Sequence, residues 1–152
     1  MQFWQHLLLG VALAVSALPA NAISVAASNW SHTLADNITN AGDYYPDSTN
    51  TSTTVNISST SSSSQAWTLA IHLTSAVPGL TVAVRRTGTG AGDSIPAGGD
   101  ALKTVTTAYQ DLFTGTGNVN NIPLEFVISG LDVTDGNGTK DIQIEYQVTT
   151  TP

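Results

Sequence analysis

Apolar and polar residues alternate along much of the chain, and the two clearest alternating stretches lie near its middle, at residues 65–73 and 80–86. Every second side chain in them is apolar, which is the period of a β-strand with one buried face. Pro78 and Gly79, between the two stretches, supply the fixed φ and the permissive φ that a tight reversal uses. The pattern therefore predicts two antiparallel strands joined by a turn.

Similar alternation predicts further strands on both sides of this central pair. Val55 and Ile57 mark a short strand, residues 101–107 form a weaker candidate, and residues 121–130 and 142–148 form two clear ones. About seven strands at this spacing are typical of an all-β fold, an antiparallel two-sheet β-sandwich of immunoglobulin-like type. We expect one core, built from Trp67, Leu69, Ile71, Val82, Val84, Ile122, Leu124, Phe126, Ile144 and Tyr146.

Polar segments separate the predicted strands. Residues 36–54 predict a long loop or a weak edge element, residues 58–64 a flexible Ser/Thr connection, and residues 87–100 a glycine-rich loop. After that loop come three apolar residues that we expect to close one end of the sandwich, namely Tyr109, Leu112 and Phe113.

The first 22 residues have the pattern of a secretory signal peptide. An apolar run at residues 7–18 precedes Pro19 and the small residues Ala20 and Ala22, and it is too short for a membrane-spanning helix. We expect cleavage after Ala22, which leaves residues 23–152 as a single β-sandwich domain. Because the leader lacks Lys and Arg, an uncleaved anchor stays open as an alternative. The favoured prediction is a secreted, extracellular or cell-surface protein that passes through the periplasm and has no stable membrane insertion after cleavage.

Charge and composition narrow the classes of function. The chain has 11 acidic and 4 basic residues, all of them after the leader, and its formal net charge is -7. Such a surface disfavours nucleic acid and anionic lipid as partners, because phosphate binding depends on clustered Lys and Arg. The chain has no cysteine, so its stability must come from the core or from neighbours in an assembly.

The sequence contains no recognisable catalytic motif. Only His32 and His72 follow the predicted cleavage site, and neither accompanies a GxSxG elbow. We expect His72 to face solvent and His32 to be partly buried. Glu125 and Glu145 lie on the outward faces of two late strands that could be adjacent, but exposed carboxylates are more often solvated surface than a glycosidase pair. The sequence predicts no catalytic residues and a protein that is not an enzyme.

Oxygen-bearing side chains cluster between residues 132 and 141. Asp132, Asp135, Asn137 and Asp141 resemble the start of an EF-hand-like loop, and they are the candidate metal ligands. The closing bidentate Glu is missing, however, and Asp-Gly and Asn-Gly are also favoured dipeptides of hairpin turns. We therefore expect a plain turn, with Ca²⁺ as the alternative and no other cofactor.

Several segments together carry a resemblance to a known class of protein. They are SNWSHTL near the new N-terminus, the pair QAWTLAIHL and LTVAVRR, and the closing IPLEFVISG and IQIEYQV. With the leader, they resemble bacterial fimbrial (pilin-like) subunits and secreted sandwich proteins of the spore coat U type. The resemblance covers most of residues 23–148. It implies an extracellular structural subunit of a fimbrium or surface layer, and a last strand that faces a chaperone or usher. The disulfide common in that family is missing here.

Ile23, Val25 and Ala27 alternate directly behind the expected cleavage site and are the candidate assembly strand. Such a strand either completes its own sheet, which is the slightly favoured alternative, or adds to the open edge of a neighbour by strand donation. The second route makes polymers. We therefore expect a non-enzymatic structural subunit whose partners are other copies or other surface subunits.

The alternative function is a stand-alone secreted binding module. It would be calcium-dependent, or it would bind carbohydrate by stacking on Trp30, Tyr44 or Tyr45.

Overall fold

Nine β-strands form the regular structure of the chain in a computed structural model, which describes residues 22–28, 46–130 and 142–151. Those ranges contain no helix that is long and apolar enough to cross a membrane. The predicted leader lies outside them except for Ala22. The strands are β1 (Ser24–Ala27), β2 (Ser48–Ser58), β3 (Ala66–Leu73), β4 (Thr81–Arg86), β5 (Ala91–Gly92), β6 (Lys103–Thr104), β7 (Gln110–Thr116), β8 (Val119–Ser129) and β9 (Ile144–Thr150).

The strands form two sheets, and all strand pairs are antiparallel. The larger sheet has the order β1-β2-β8-β4-β6, with β5 also paired to β8, and the smaller sheet has the order β7-β3-β9. The predicted all-β, two-sheet antiparallel sandwich is therefore confirmed. The expected count of about seven matches the longer strands, since β5 and β6 are only two residues long.

The strand order follows that of an immunoglobulin sandwich. In a constant-type immunoglobulin domain, strands A, B, E and D form one sheet and strands C, F and G form the other. Here β1, β2, β8 and β4 take the positions of A, B, E and D, and β3 and β9 take those of C and F. Within the described ranges, no strand takes the position of G beside β9. The smaller sheet therefore ends at β9.

The two strands of the predicted central pair do not pair with each other. β3 pairs with β7 and β9, whereas β4 pairs with β8 and β6. The reversal at Pro78-Gly79 is present, with Gly79 at φ 77° and the Leu80 N–H bonded to the Val77 carbonyl at 3.1 Å. It carries the chain from one sheet to the other. The prediction of pairing was wrong because alternation specifies which face of a strand is buried and not which strand lies beside it.

One cluster of buried apolar side chains lies between the sheets. The eight core residues predicted on β3, β4 and β8 all belong to it, and each is at most 1% exposed. Ile144 and Tyr146 were expected in the same core, but they are only partly buried and pack against its side. The reason is that β9 is an edge strand, so its inward side chains have covering neighbours on one side only.

Residues 48–54 belong to an inner strand of the larger sheet, and not to the long loop or weak edge element predicted for residues 36–54, of which residues 36–45 lie outside the described ranges. β2 has 11 residues and lies between β1 and β8. Its polar side chains led to the prediction of a loop, but Thr, which recurs in this stretch, favours strands. The buried hydroxyl of Thr53 has a partner, because it donates to Asn50 Oδ1 at 3.1 Å. Backbone pairing with β8 thus holds this polar stretch as a strand, with a shift of register between Asn50 and Thr53.

The apolar group after the glycine-rich loop is divided between the core and the surface. Leu112 and Phe113 are buried in β7, and the ring of Phe113 meets that of Trp67 edge-on at 6.2 Å. Tyr109 is 45% exposed and does not close the end of the sandwich as expected.

Candidate functional site

The two carboxylates considered for glycoside hydrolysis do not form a pair. Glu125 lies on β8 in the larger sheet, and Glu145 lies on β9 in the smaller one. Glu125 is in an ion pair with Arg85, with 2.7 Å between Oε1 and Nε. Within the described ranges, no group of three or more His, Asp or Glu residues could hold a metal ion.

Several residues with a predicted ligand role lie outside the described ranges, so the calcium and carbohydrate hypotheses stay predictions. They are the candidate calcium ligands Asp132, Asp135, Asn137 and Asp141, together with His32, Trp30, Tyr44 and Tyr45.

The described ranges contain one compact cluster of titratable side chains, formed by His72, Tyr109 and Glu145 on the outer face of the smaller sheet. His72 on β3 lies directly opposite Glu145 on β9, with 3.0 Å between Nε2 and Oε2. Its Nδ1 lies 3.2 Å from the Thr107 carbonyl oxygen. Tyr109 donates from its hydroxyl to the same Glu145 oxygen at 3.2 Å, and its ring centre lies 4.0 Å from that of His72. We call these three residues the His72 cluster.

The members of the His72 cluster shift each other's titration. The hydrogen bond with Glu145 raises the pKa of His72 above its ordinary value of 6.5. Hydrogen bonds from His72 and Tyr109 lower the pKa of the Glu145 carboxyl. Partial burial, followed by the bond to Glu145, raises the pKa of the Tyr109 hydroxyl.

The contacts of His72 tie separate elements of the fold together. Each ring nitrogen faces an oxygen acceptor, the Thr107 carbonyl for Nδ1 and the Glu145 carboxylate for Nε2. His72 lies on the outer face of the sheet, as predicted. Its side chain is nevertheless only 15% exposed, so it does not face solvent freely. The cluster joins β3, β9 and the segment before β7.

The sandwich has edge strands on both of its sides, and one of them is capped. β7 forms an edge of the smaller sheet, where Thr114 and Thr116 direct their backbone groups away from β3. The Ala97 backbone exchanges two hydrogen bonds with Thr114, at 2.8 and 3.1 Å. The Ser94 hydroxyl bonds to both the N–H and the carbonyl of Thr116, at 2.9 and 2.7 Å. A further strand therefore cannot add here without displacing these partners.

The opposite edge of the smaller sheet is open in the described ranges. β9 forms its backbone hydrogen bonds with β3 through its odd-numbered residues. The same alternation continues beyond β9, where the Thr151 N–H bonds to the Ala66 carbonyl and the Thr74 N–H to the Gln143 carbonyl. The N–H and carbonyl groups of the intervening residues point away from β3 and meet no strand of the described ranges. The side chains of three of them are also only partly buried. These outward residues are Ile144, Tyr146, Val148 and Thr150, and we call them the β9 edge.

The larger sheet ends on the same side with β1, which contacts β9. The candidate assembly strand thus pairs with β2 of its own chain, through four residue pairs. Of the two alternatives for this strand, the structure thus has the one in which the strand completes its own sheet. Val25 and Ala27 direct their backbone groups away from β2, and their side chains are partly buried.

Sequence reasoning missed the β9 edge, because it counted Ile144 and Tyr146 as core.

Comparison with protein-family models, with curated proteins and with solved structures finds no match for this chain.

Proposed function

We propose that the chain is a non-enzymatic structural subunit of an extracellular filament or surface layer, and that copies assemble by adding an extended strand to the β9 edge. The observation that carries this proposal is the open edge itself, which has four outward N–H and four outward carbonyl groups. Unpaired backbone groups in a row are a template for strand addition.

The contrast between the two edges of the smaller sheet supports the proposal. The β7 edge is closed by Ser94 and Ala97, which is how proteins prevent edge pairing. The β9 edge has no such cap in the described ranges. In the described ranges, strand addition to the smaller sheet is therefore blocked at β7 and possible at β9.

The side chains of the β9 edge also suit an added strand. Ile144, Tyr146 and Val148 pack against the core but stay partly exposed, so a strand with alternate apolar residues would cover them. In immunoglobulin terms, the added strand takes the position of G. Each new backbone hydrogen bond contributes roughly 0.5–1.5 kcal/mol net, and burial of the partly exposed apolar side chains adds to this.

The donor that we propose is the segment Ile23–Ala27 of a neighbouring copy. It has the alternate apolar side chains that the β9 edge requires and carries no charge. In the single chain it pairs with β2 along only four residues, so a change of partner breaks few contacts. Donation from copy to copy is a head-to-tail contact, which extends into a filament when it does not close into a ring.

Two substitutions of Val148 in the predicted mature chain, residues 23–152, test the role of the β9 edge. The Val148 N–H points away from β3, so Val148→Pro removes an outward donor and leaves the ladder with β3 intact. Val148→Ala is the matched control, since it shortens the side chain and keeps the N–H.

We expect the parent and Val148→Ala to form oligomers or filaments in sedimentation velocity and electron microscopy, and Val148→Pro to remain folded and monomeric. Assembly by Val148→Pro at the level of Val148→Ala would contradict the proposal, and so would a parent that is monomeric at every concentration.

A further inference from the structure

We propose that protonation of His72 strengthens the β9 edge as an acceptor, so that assembly is favoured in mild acid and weakened as the pH rises. This inference rests on the proposed function, because the site that it regulates is the same β9 edge.

The geometry of the two ring nitrogens carries the inference. Nδ1 faces the Thr107 carbonyl oxygen at 3.2 Å, and Nε2 faces Glu145 Oε2 at 3.0 Å. Both partners accept hydrogen bonds, and neither the carbonyl nor the ionised carboxylate can donate one. The imidazole therefore satisfies both contacts only when each nitrogen carries a proton. A neutral ring must leave one nitrogen lone pair facing an oxygen.

The position of Glu145 links this proton to the assembly edge. Glu145 lies on β9 between Ile144 and Tyr146, which both belong to the β9 edge. Its carboxylate is held by His72 of β3 and by Tyr109, which precedes β7. The doubly protonated ring thus fastens β9 at its N-terminal half to the rest of the sheet. Loss of the proton removes the attraction between the charged ring and Glu145 and one of the two hydrogen bonds of the ring, and so leaves β9 less well ordered for an incoming strand.

Few other titratable groups lie near His72 in the described part of the chain. In the described part of the chain, the titratable groups that face His72 are Glu145 from β9 and Tyr109 from the segment before β7. Asp111 of β7 lies further along the outer face, opposite Ala70, and its carbonyl accepts a hydrogen bond from Lys103. His72 is hence the member of the cluster that titrates near neutral pH.

The sign of the pH dependence follows from the direction of the shift. The pKa of His72 is raised in the folded protein. A raised pKa contributes stability that is fully present below the unfolded value of about 6.5 and is lost as the pH rises through the folded value. The pKa of Glu145 is lowered and that of Tyr109 is raised, so the first stays ionised and the second protonated across this range.

The test measures assembly of the predicted mature chain by sedimentation velocity at about pH 6 and about pH 8.5, on either side of the His72 titration. His72→Gln retains a side-chain donor at every pH and should assemble to the same extent at both. His32→Gln is the matched control, since it removes one histidine charge and leaves the three residues of the cluster unchanged. In parallel, NMR titration of the His72 ring in Val148→Pro should give a pKa above 6.5 that Glu145→Gln lowers.

Greater assembly in acid by the parent and by His32→Gln, and equal assembly by His72→Gln, would support the inference. Assembly that is independent of pH, or a pH dependence that His72→Gln retains, would overturn it and leave the β9 edge as the assembly site. A parent that is monomeric at both pH values would contradict the proposed function as well.

Discussion

Arg85 and Arg86 are neighbours in the sequence with opposite environments. Arg86 is 8% exposed, and its guanidinium donates to the Gly98 carbonyl at 2.9 Å, the Gly88 carbonyl at 2.7 Å and Asp100 at 2.5 Å. It thereby fixes both ends of the glycine-rich segment that caps the β7 edge. Arg85 points to the outer face, where 45% of its side chain is exposed, and forms an ion pair with Glu125.

These different environments predict that replacing Arg86 destabilises the protein more than replacing Arg85. Arg86→Met should lower the free energy of unfolding by about 2–4 kcal/mol, because two backbone carbonyls and Asp100 lose the charged donor of a buried side chain. Arg85→Met should cost no more than about 1 kcal/mol, since its ion pair is partly exposed. Urea denaturation of the two variants measures the difference, and equal midpoints would show that Arg86 does not anchor the loop.

At the scale of residues, the sequence predicted burial well and contacts poorly. Alternation identified eight of the nine core residues on β3, β4 and β8 that are at most 1% exposed, because period two fixes the buried face of a strand, and it missed only Val119. It also placed His72 on the outer face. Its partners were not predictable, since Thr107 and Glu145 are 35 and 73 residues away.

At the scale of elements, β1 is a short strand of four residues at the end of the larger sheet in the described ranges. It pairs only with β2, and its apolar side chains are partly buried. Removing it leaves the core between the sheets intact, because none of its residues belongs to the buried cluster.

Deletion of Ile23–Ala27 from the predicted mature chain should therefore give a folded protein that has lost the donor strand. We expect it to be monomeric, less stable by about 2 kcal/mol from lost partial burial, and able to bind the added peptide ISVAAS. Calorimetry and sedimentation velocity measure these properties. A truncated chain that unfolds, or that still polymerises, would rule out donation by this segment.

The sequence predicted the existence of most strands but not their neighbours. β3 and β4 were expected to pair because they are adjacent in the chain, yet they lie in different sheets. Pairing in a sandwich is decided by contacts between distant segments, about which local periodicity carries no information. The predicted strand at Val55 and Ile57 was too short, because the first part of β2 is polar and shows no alternation. Backbone pairing with β1 and β8 stabilises the longer strand.

At the scale of the whole molecule, the two edges of the smaller sheet differ: in the described ranges the β7 edge is capped and the β9 edge is open. Ser94 and Ala97 cap the β7 edge, whereas the other side presents the β9 edge next to β1. A net charge of -7 opposes contact between copies in general, but the four residues of the β9 edge are uncharged. The fold class could be predicted from the sequence, while the asymmetry between edges could not, because it depends on which strands the fold leaves without a neighbour.

The central claim is that the β9 edge receives a strand in the assembly, and amide hydrogen exchange along β9 tests it most directly. The N–H groups of Tyr146 and Val148 point outward, whereas those of Gln147 and Thr149 bond to β3 and serve as the control within the same strand. The account predicts that Tyr146 and Val148 exchange rapidly in the free subunit and become protected on assembly, while Gln147 and Thr149 are protected in both states. Exchange of Tyr146 and Val148 at the same rapid rate in assembled and free protein would contradict it.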